Sequence, residues 1–414
     1  MARFLRIPVG PSTNSSWTGV AANGNTVVAV ADSGQFRVAR SLDGGTTWSF
    51  LDLGATFNKS WSHIANIGNL FVAVASAGGT NHIMRSDNGG ASWTLAGTPL
   101  TVAFNCVATD GTRFVAVGTG TATHKSDDGI TWTAIGAAPN SLNYTSVAWS
   151  GTTWVACADN GGAATNFMTG DAANITTWTA QANGLAGTWV EIIRAPGGTA
   201  LWAITSSGGT AGAATITQNG VTYTANNGLA AGNYVAAYTD GTTMVVLSPV
   251  GLPASRITTS INGTAFTVQT IPGEGQLWSA ATSISTGNFV VVSRSGGNTG
   301  RVLKSVSGVT TWNQVNLSYN LTQETNCPIY LNIENFITMR PVAQNQIQIQ
   351  LDSANAAADT ATLTFGADAT GATHELIMDA IISANSADGA PSAVIDVPSL
   401  FDGRFIDFNQ TIIS

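Results

Sequence analysis

The residues able to do chemistry in this chain are few and far apart. Its central part holds two glutamates, Glu191 and Glu274, and four tyrosines, Tyr144, Tyr223, Tyr234 and Tyr238. Arg194, Arg256, Arg294 and Arg301 share that region, and Arg6 follows Phe4-Leu5 in "MARFLRIPV". Guanidinium groups converging on one point would grip a substrate carboxylate through charge-assisted bonds of fixed geometry. A tyrosine beside a glutamate, Tyr238 with Glu191, would then supply a nucleophile pair. Two of the 18 aspartates would instead suit glycoside hydrolysis, although many of them stand in turns. Beyond Arg6, no arginine sits in a recognisable motif. His63, His82, His124 and His374 lack the spacing of a metal site, so neither metal nor cofactor is expected. Cys106, Cys157 and Cys327 form neither a CxxC pair nor an even framework, which predicts reduced, mostly buried thiols.

Composition narrows the classes further. Charged residues make up 9% of the 414 positions, hydrophobic residues 44%, and glycine numbers 46, a balance that favours packed cores over disorder. The net charge is −8 and the lysines are only Lys59, Lys125 and Lys304. A nucleic-acid partner needs a concentrated basic face, so none is expected. No run approaches the ~18 apolar residues of a membrane span. The N-terminus has no apolar signal-peptide core, which points to synthesis in a cytoplasm without export by the usual route.

The elements that would position these residues are announced by a repeat. Seven segments end in a turn followed by an aromatic: "SLDGGTTW" (Ser41 to Trp48), "SDNGGASW" (Ser86 to Trp93), "SDDGITW" (Ser126 to Trp132), "TGDAANITTW" (Thr169 to Trp178), "TQNGVTY" (Thr217 to Tyr223), "SINGTAF" (Ser260 to Phe266) and "SVSGVTTW" (Ser305 to Trp312). Their starts lie 45, 40, 43, 48, 43 and 45 residues apart. Ahead of each turn runs a short apolar stretch, such as "VVAVA", "FVAVA" or "WVACA", which reads as a strand buried on both faces. Another strand precedes each stretch and a fourth follows each turn. Four short strands per period of this length describe a propeller blade, which buries its faces only by stacking on its neighbours. The expectation is a seven-bladed β-propeller over residues 17–318.

The turns resemble the Asp-box, or BNR, repeat Ser-x-Asp-x-Gly-x-x-Trp. Ser41, Asp43, Gly45 and Trp48 match it fully; Ser86, Asn88, Gly90 and Trp93, and Ser126, Asp128 and Trp132, follow closely. Asn219 with Tyr223, Asn262 with Phe266, and Trp312 are the later counterparts. A carboxylate or amide there can accept bonds from the turn's own N–H groups while glycine takes a positive φ. The resemblance implies a structural role for all of them, at the rim of the ring. Asp-box propellers include sialidases, glucan hydrolases, sorting receptors and photosystem assembly factors, so the repeat points to fold more than to function. The Arg6-Ile7-Pro8 stretch resembles a signature at the start of sialidases, where the arginine holds the substrate carboxylate. Sialidases, however, are six-bladed.

Past Trp312 the period stops. "IYLNIENFITMRP", "NQIQIQLD" and "ATLTFGAD" read as strands, and Ile347, Ile349 and Leu351 alternate. "THELIMDAIISANS" reads as a helix, with Thr373 as N-cap and Leu376, Ile377, Ala380, Ile381 and Ala384 on one face. "AVIDV" and "GRFIDF" read as closing strands of a small α+β domain over 319–414. With "MARFLRIPV" at the front, this order resembles small virion proteins of tailed bacteriophages. The resemblance implies that residues 1–10 supply the first strand of the α+β domain, with the propeller inserted after it. A rival arrangement has the same stretch close the propeller ring.

The expectation is therefore mainly β: a seven-bladed Asp-box propeller plus a small α+β domain, in a non-enzymatic virion protein of the capsid-decoration or fibre type. Its partners would be other capsid or tail proteins and host-surface glycans, with copies assembled as a homo-oligomer. The alternatives are a sialidase-like or glucan-hydrolysing glycosidase and a cellular assembly factor.

Overall fold

The computed structural model describes residues 15–315, apart from the stretches 98–99, 160–165, 172–173, 183–186, 199, 208–212, 227–228, 230–232, 249–256, 262–264, 270–276, 295–301 and 307–310, together with four later strands. The chain divides into two compact units, one of Gly10–Ser318 and one of Met1–Val9 with Tyr319–Ser414.

The larger unit repeats one antiparallel meander. Its first sheet orders Ser16–Asn23, Thr26–Ser33, Val38–Ser41 and Ser49–Leu51 in sequence. The second of these strands is buried from Val27 to Ala31, as its unbroken apolar run requires. Phe71 to Ala75, Phe114 to Val117 and Trp154 to Ala158 repeat that burial in later sheets. In place of helices, neighbouring sheets cover these faces. Val28, Val30 and Val38 of the first sheet pack with Trp61, Ile64, Phe71, Met84 and Trp93 of the next. The apolar core is thus divided among the interfaces between sheets.

The innermost strands are Ser16–Asn23, Ser60–Ile67, Phe104–Thr109, Leu142–Trp149, Thr188–Arg194, Ala236–Thr239 and Trp278–Ser285. Each lies against the next, and the last lies against the first, so the sheets close into a β-propeller. Two adjacent sheets are also stitched directly, Thr119 pairing with Asn143 and Gly120 with Leu142, into one eight-stranded run.

An aromatic stands near the start of each innermost strand, and in five of them the residue after it reaches the neighbouring sheet. Thr18 Oγ1 donates to the Trp61 carbonyl at 2.6 Å, and Ser62 Oγ to that of Phe104 at 2.9 Å. Asn105 Nδ2 donates to Tyr144 O at 2.8 Å, and Thr145 Oγ1 to Trp189 O at 2.9 Å. Ser279 Oγ completes the circuit on Trp17 O at 2.5 Å. Valine follows Trp189 and Tyr234, and with no donor at Val190 or Val235 the series lapses there.

In the smaller unit, Phe336–Ala343, Gln346–Leu351, Thr360–Thr364 and Thr411–Ile413 form one antiparallel sheet in that order. Ile347 pairs with Pro341 and Leu363, and Ile349 with Met339 and Ala361. The first three strands fall on the segments expected from sequence, and the fourth lies beyond the expected "GRFIDF". The predicted first strand at residues 1–10, the 373–386 helix and the two closing strands lie outside the described residues.

Candidate functional site

The innermost strands wall a central channel of about 680 Å³. Its lining is mixed: Asn66, Asn105, Asn143 and Asp110 offer polar atoms, Trp149 an aromatic face, and Arg194 and Arg294 positive charge. The chemistry concentrates on one arc of its wall. Aligning the repeats on the innermost aromatics Trp61, Phe104, Tyr144 and Trp189 places His63, Cys106, Ser146 and Glu191 two residues later in four successive strands. The same position holds Gly19, Ala236 and Ala280 in the other three. One register level of the ring therefore carries all four groups side by side, with small residues around the rest of the circle.

Hydrogen bonds orient the four. His63 Nδ1 lies 3.0 Å from the Val107 carbonyl; a carbonyl only accepts, so Nδ1 carries a proton and donates it there. Ser146 is fully buried and donates through Oγ to Glu191 Oε1 at 2.5 Å. The same Oγ accepts from the Ile192 amide at 3.1 Å, and the Cys106 thiol lies 3.8 Å away. A ring nitrogen of His63, the Cys106 sulfur and a Glu191 carboxylate oxygen all fall within 4.8 Å of one another.

Electrostatics follow from enclosure. Burial raises the Glu191 carboxyl; His63, the Ser146 hydroxyl and the Ile192 amide pull it down without cancelling that effect. Burial, reinforced by the Glu191 charge, pushes the Cys106 thiol up to about 12. An unassisted Cys106 is thus a thiol at neutral pH and a poor nucleophile. Cys157 is likewise buried, free and raised.

Of the residues expected for a carboxylate clamp, Arg194 and Arg294 reach the channel wall. Arg194 bonds the Gly198 carbonyl of its own turn. Glu191 is engaged by Ser146, while the Tyr238 ring meets Phe289 edge-on. Tyr144, buried and pushed up to about 12 by its burial, bonds Asn140 O at 3.4 Å. Tyr223 packs its ring 4.8 Å from Phe167, and Tyr234 is buried. His82 bonds Val102 O, and His124 meets the Phe104 ring edge-on. Arg6, Arg256, Arg301, Glu274, Cys327 and His374 lie outside the described residues. The histidines lack ligand spacing in the sequence, yet the ring brings His63 close to Cys106 and Glu191 from 43 and 128 positions away in the chain. Spacing within any one repeat could not reveal this, whereas a comparison between repeats at one register would.

The repeated turns lie away from the channel lining. Asp43 Oδ1 accepts from Ser41 Oγ and from the amides of Thr46 and Thr47, and Trp48 Nε1 donates to Gly45 O. Asn88 Oδ1 accepts from Ser86 and the Ser92 amide, with Trp93 on Gly90 O. Asp128 accepts from Ser126, Ile130 and Thr131, with Trp132 on Gly129 O. Asn219 accepts from Thr217, and the Tyr223 hydroxyl donates to Gly220 O. Asp171 serves the irregular fourth turn through Thr176 and Thr177. Phe266 packs on Trp202 and Trp312 is buried, while Asn262 lies outside the described residues.

The turn glycines have a second role. Gly45, Gly90, Gly129 and Gly220 all take positive φ, between 69° and 83°. A Cβ on each would meet Val290, Val28, Val72 or Val155 of the adjacent sheet at 2.6–2.9 Å. Each turn is thereby pressed into its neighbour.

No protein-family model matches the chain, and no curated protein matches it in sequence. Solved structures do match. That of YCF48 bound to D1 peptide is similar with a TM-score of 0.56 at 14% identity, over 73% of this chain and 95% of that one. The GH74 enzyme of Niastella koreensis is similar with a TM-score of 0.57 at 13% identity, over 86% of this chain. This chain spans 65% of that enzyme's length. Likeness at these identities establishes the β-propeller fold alone.

Proposed function

We propose that this chain is a non-enzymatic structural protein of a tailed-bacteriophage virion, in which a terminal α+β domain attaches to the capsid or tail and displays a seven-bladed Asp-box propeller. The observation that carries this reading is that both ends of the chain group in one compact unit while residues 10–318 form the other. Insertion of one domain into another at a surface site is commonly tolerated, which suits a ring displayed on an anchoring domain. The similarity of the terminal segments to small virion proteins supplies the identity of the anchor. Trp149 with Asn66, Asn143 and Asp110 in the channel lining suits weak binding of host-surface glycans, which repeated copies would strengthen by avidity. Mass spectrometry of purified virions tests the assignment: the protein must be present in stoichiometric amounts, and its absence from particles overturns the reading. Co-purification with a host complex in place of particles would favour an assembly factor.

A second reading rests on Glu191, a carboxyl raised by burial in a channel, as a general acid requires. It makes the chain a sialidase-like or glucan-hydrolysing glycosidase. Turnover of fluorogenic sialosides or polysaccharides, abolished by Arg6→Ala or Glu191→Gln, would establish it in place of the first.

A further inference from the structure

We propose that His63, Cys106 and Glu191 form a binding site for a divalent transition metal of the zinc class, set in the wall of the central channel. The donor set is one imidazole nitrogen, one sulfur and one carboxylate oxygen, within 4.8 Å of one another. For three atoms so placed, some point lies within about 2.8 Å of all of them, against bonds of about 2.0–2.3 Å to zinc. Closing that gap asks for a shift of under about 1 Å from each donor, within reach of side-chain adjustment.

The surroundings are those a metal site needs. His63 gives its Nδ1 proton to the Val107 carbonyl, which fixes the ring and leaves Nε2 basic. Val107 follows Cys106 on the same strand, so one strand both presents the sulfur and aligns the imidazole. Ser146 holds Glu191 Oε1 and is itself held by the Ile192 amide, leaving Oε2 to bind. Charge also balances: thiolate and carboxylate together neutralise a divalent cation. Among the described residues no lysine or arginine pairs with Glu191. Sulfur with imidazole selects zinc, cobalt or nickel over magnesium or calcium, which prefer oxygen ligands. Three protein ligands on a channel wall leave a fourth position facing the lumen, where water or a ligand atom would complete a tetrahedron.

Cobalt is the probe. Tag-free protein stripped with chelator and titrated with Co²⁺ should take up one ion per chain. It should also develop a near-ultraviolet thiolate-to-cobalt charge-transfer band with the intense visible bands of a four-coordinate ion, and Zn²⁺ should displace it. Cys106→Ser should lose the charge-transfer band, whereas Cys157→Ser should keep it. Ser146→Ala retains all three donors and tests their positioning: Co²⁺ affinity should fall about 10–100-fold, as for outer partners of metal ligands. No stoichiometric uptake by the wild type, or a band that survives in Cys106→Ser, overturns the proposal. If far-UV circular dichroism shows Cys106→Ser unfolded, Glu191→Gln decides: a more than tenfold loss of affinity upholds the site, and unchanged affinity overturns it.

Discussion

Ser279 Oγ donates to the carbonyl of Trp17 at 2.5 Å, joining strands 262 residues apart in the chain. The equivalent bond from Thr18 to Trp61 lies between sheets that the chain itself connects. At the Ser279 seam the two sheets are consecutive in the ring but stand at opposite ends of the repeat array, so side-chain bonds and packing carry more of the closure. Ser279→Ala should cost about 1 kcal/mol, the net worth of a typical intramolecular hydrogen bond. Native-state hydrogen exchange should show the loss of protection concentrated in Ser16–Asn23 and Trp278–Ser285. Thr18→Ala should lose similar stability, but its protection loss should be spread over the whole ring.

The turn glycines separate backbone strain from packing. Gly24 has φ of 57° with open space where a Cβ would stand, whereas at Gly90, with φ of 83°, that Cβ would be 2.6 Å from Val28 Cγ2. Gly24→Ala should cost about 1 kcal/mol, the conformational term alone. Gly90→Ala adds overpacking against an adjacent sheet and should cost a further ~1–3 kcal/mol. Urea midpoints of the two variants check the difference, and equal shifts would deny the turn its part in sheet stacking.

These contrasts mark what was legible in the residues. The turn from Ser41 to Trp48 closes its hydrogen bonds within eight consecutive positions, so composition and order alone announce it. Strand order followed for the same reason, since within each four-stranded meander of the described residues consecutive strands pair. The channel arc was hidden because His63, Cys106, Ser146 and Glu191 each belong to a different repeat and look ordinary within it. Only closure of the ring places them at one level. Likewise Thr18, Ser62, Asn105, Thr145 and Ser279, each following an innermost aromatic, read as plain polar strand positions until their acceptors, carbonyls of the adjacent sheet, are known.

Acid should weaken the ring through its turn carboxylates. At Asp240 burial works upward, but the amides of Gly287, Thr243 and Thr242 with the Thr242 hydroxyl outweigh it and hold the group below the usual range. Asp43 and Asp128 are lowered in the same way, and Asp171 to about 2. A depressed folded pKa stabilises the fold above the unfolded value of about 3.9, and that stability is lost as pH falls through the folded value. Denaturation midpoints should therefore fall steeply from about pH 4 toward pH 2. Asp240→Asn should start lower at neutral pH and show a shallower decline, because Asp240 alone among these bridges two sheets, through Gly287.

The acidic position of the turn can be tested for charge against acceptor geometry. Asp43 Oδ1 takes bonds from Ser41, Thr46 and Thr47. Asn88 performs the same task with a neutral amide oxygen, from Ser86 and Ser92, and turns its Nδ2 onto Ser92 Oγ. If the acceptor matters and the charge does not, Asp43→Asn should change stability at pH 7 by under about 0.5 kcal/mol, as for an exposed surface substitution. Asp43→Ala removes the acceptor and leaves two turn amides to water, as when a helix cap is lost, and should cost about 1 kcal/mol or more. Asp43→Asn must also remove part of the acid sensitivity, because an amide has no proton to gain. Equal losses in the two variants at pH 7 would show instead that the carboxylate charge holds the turn.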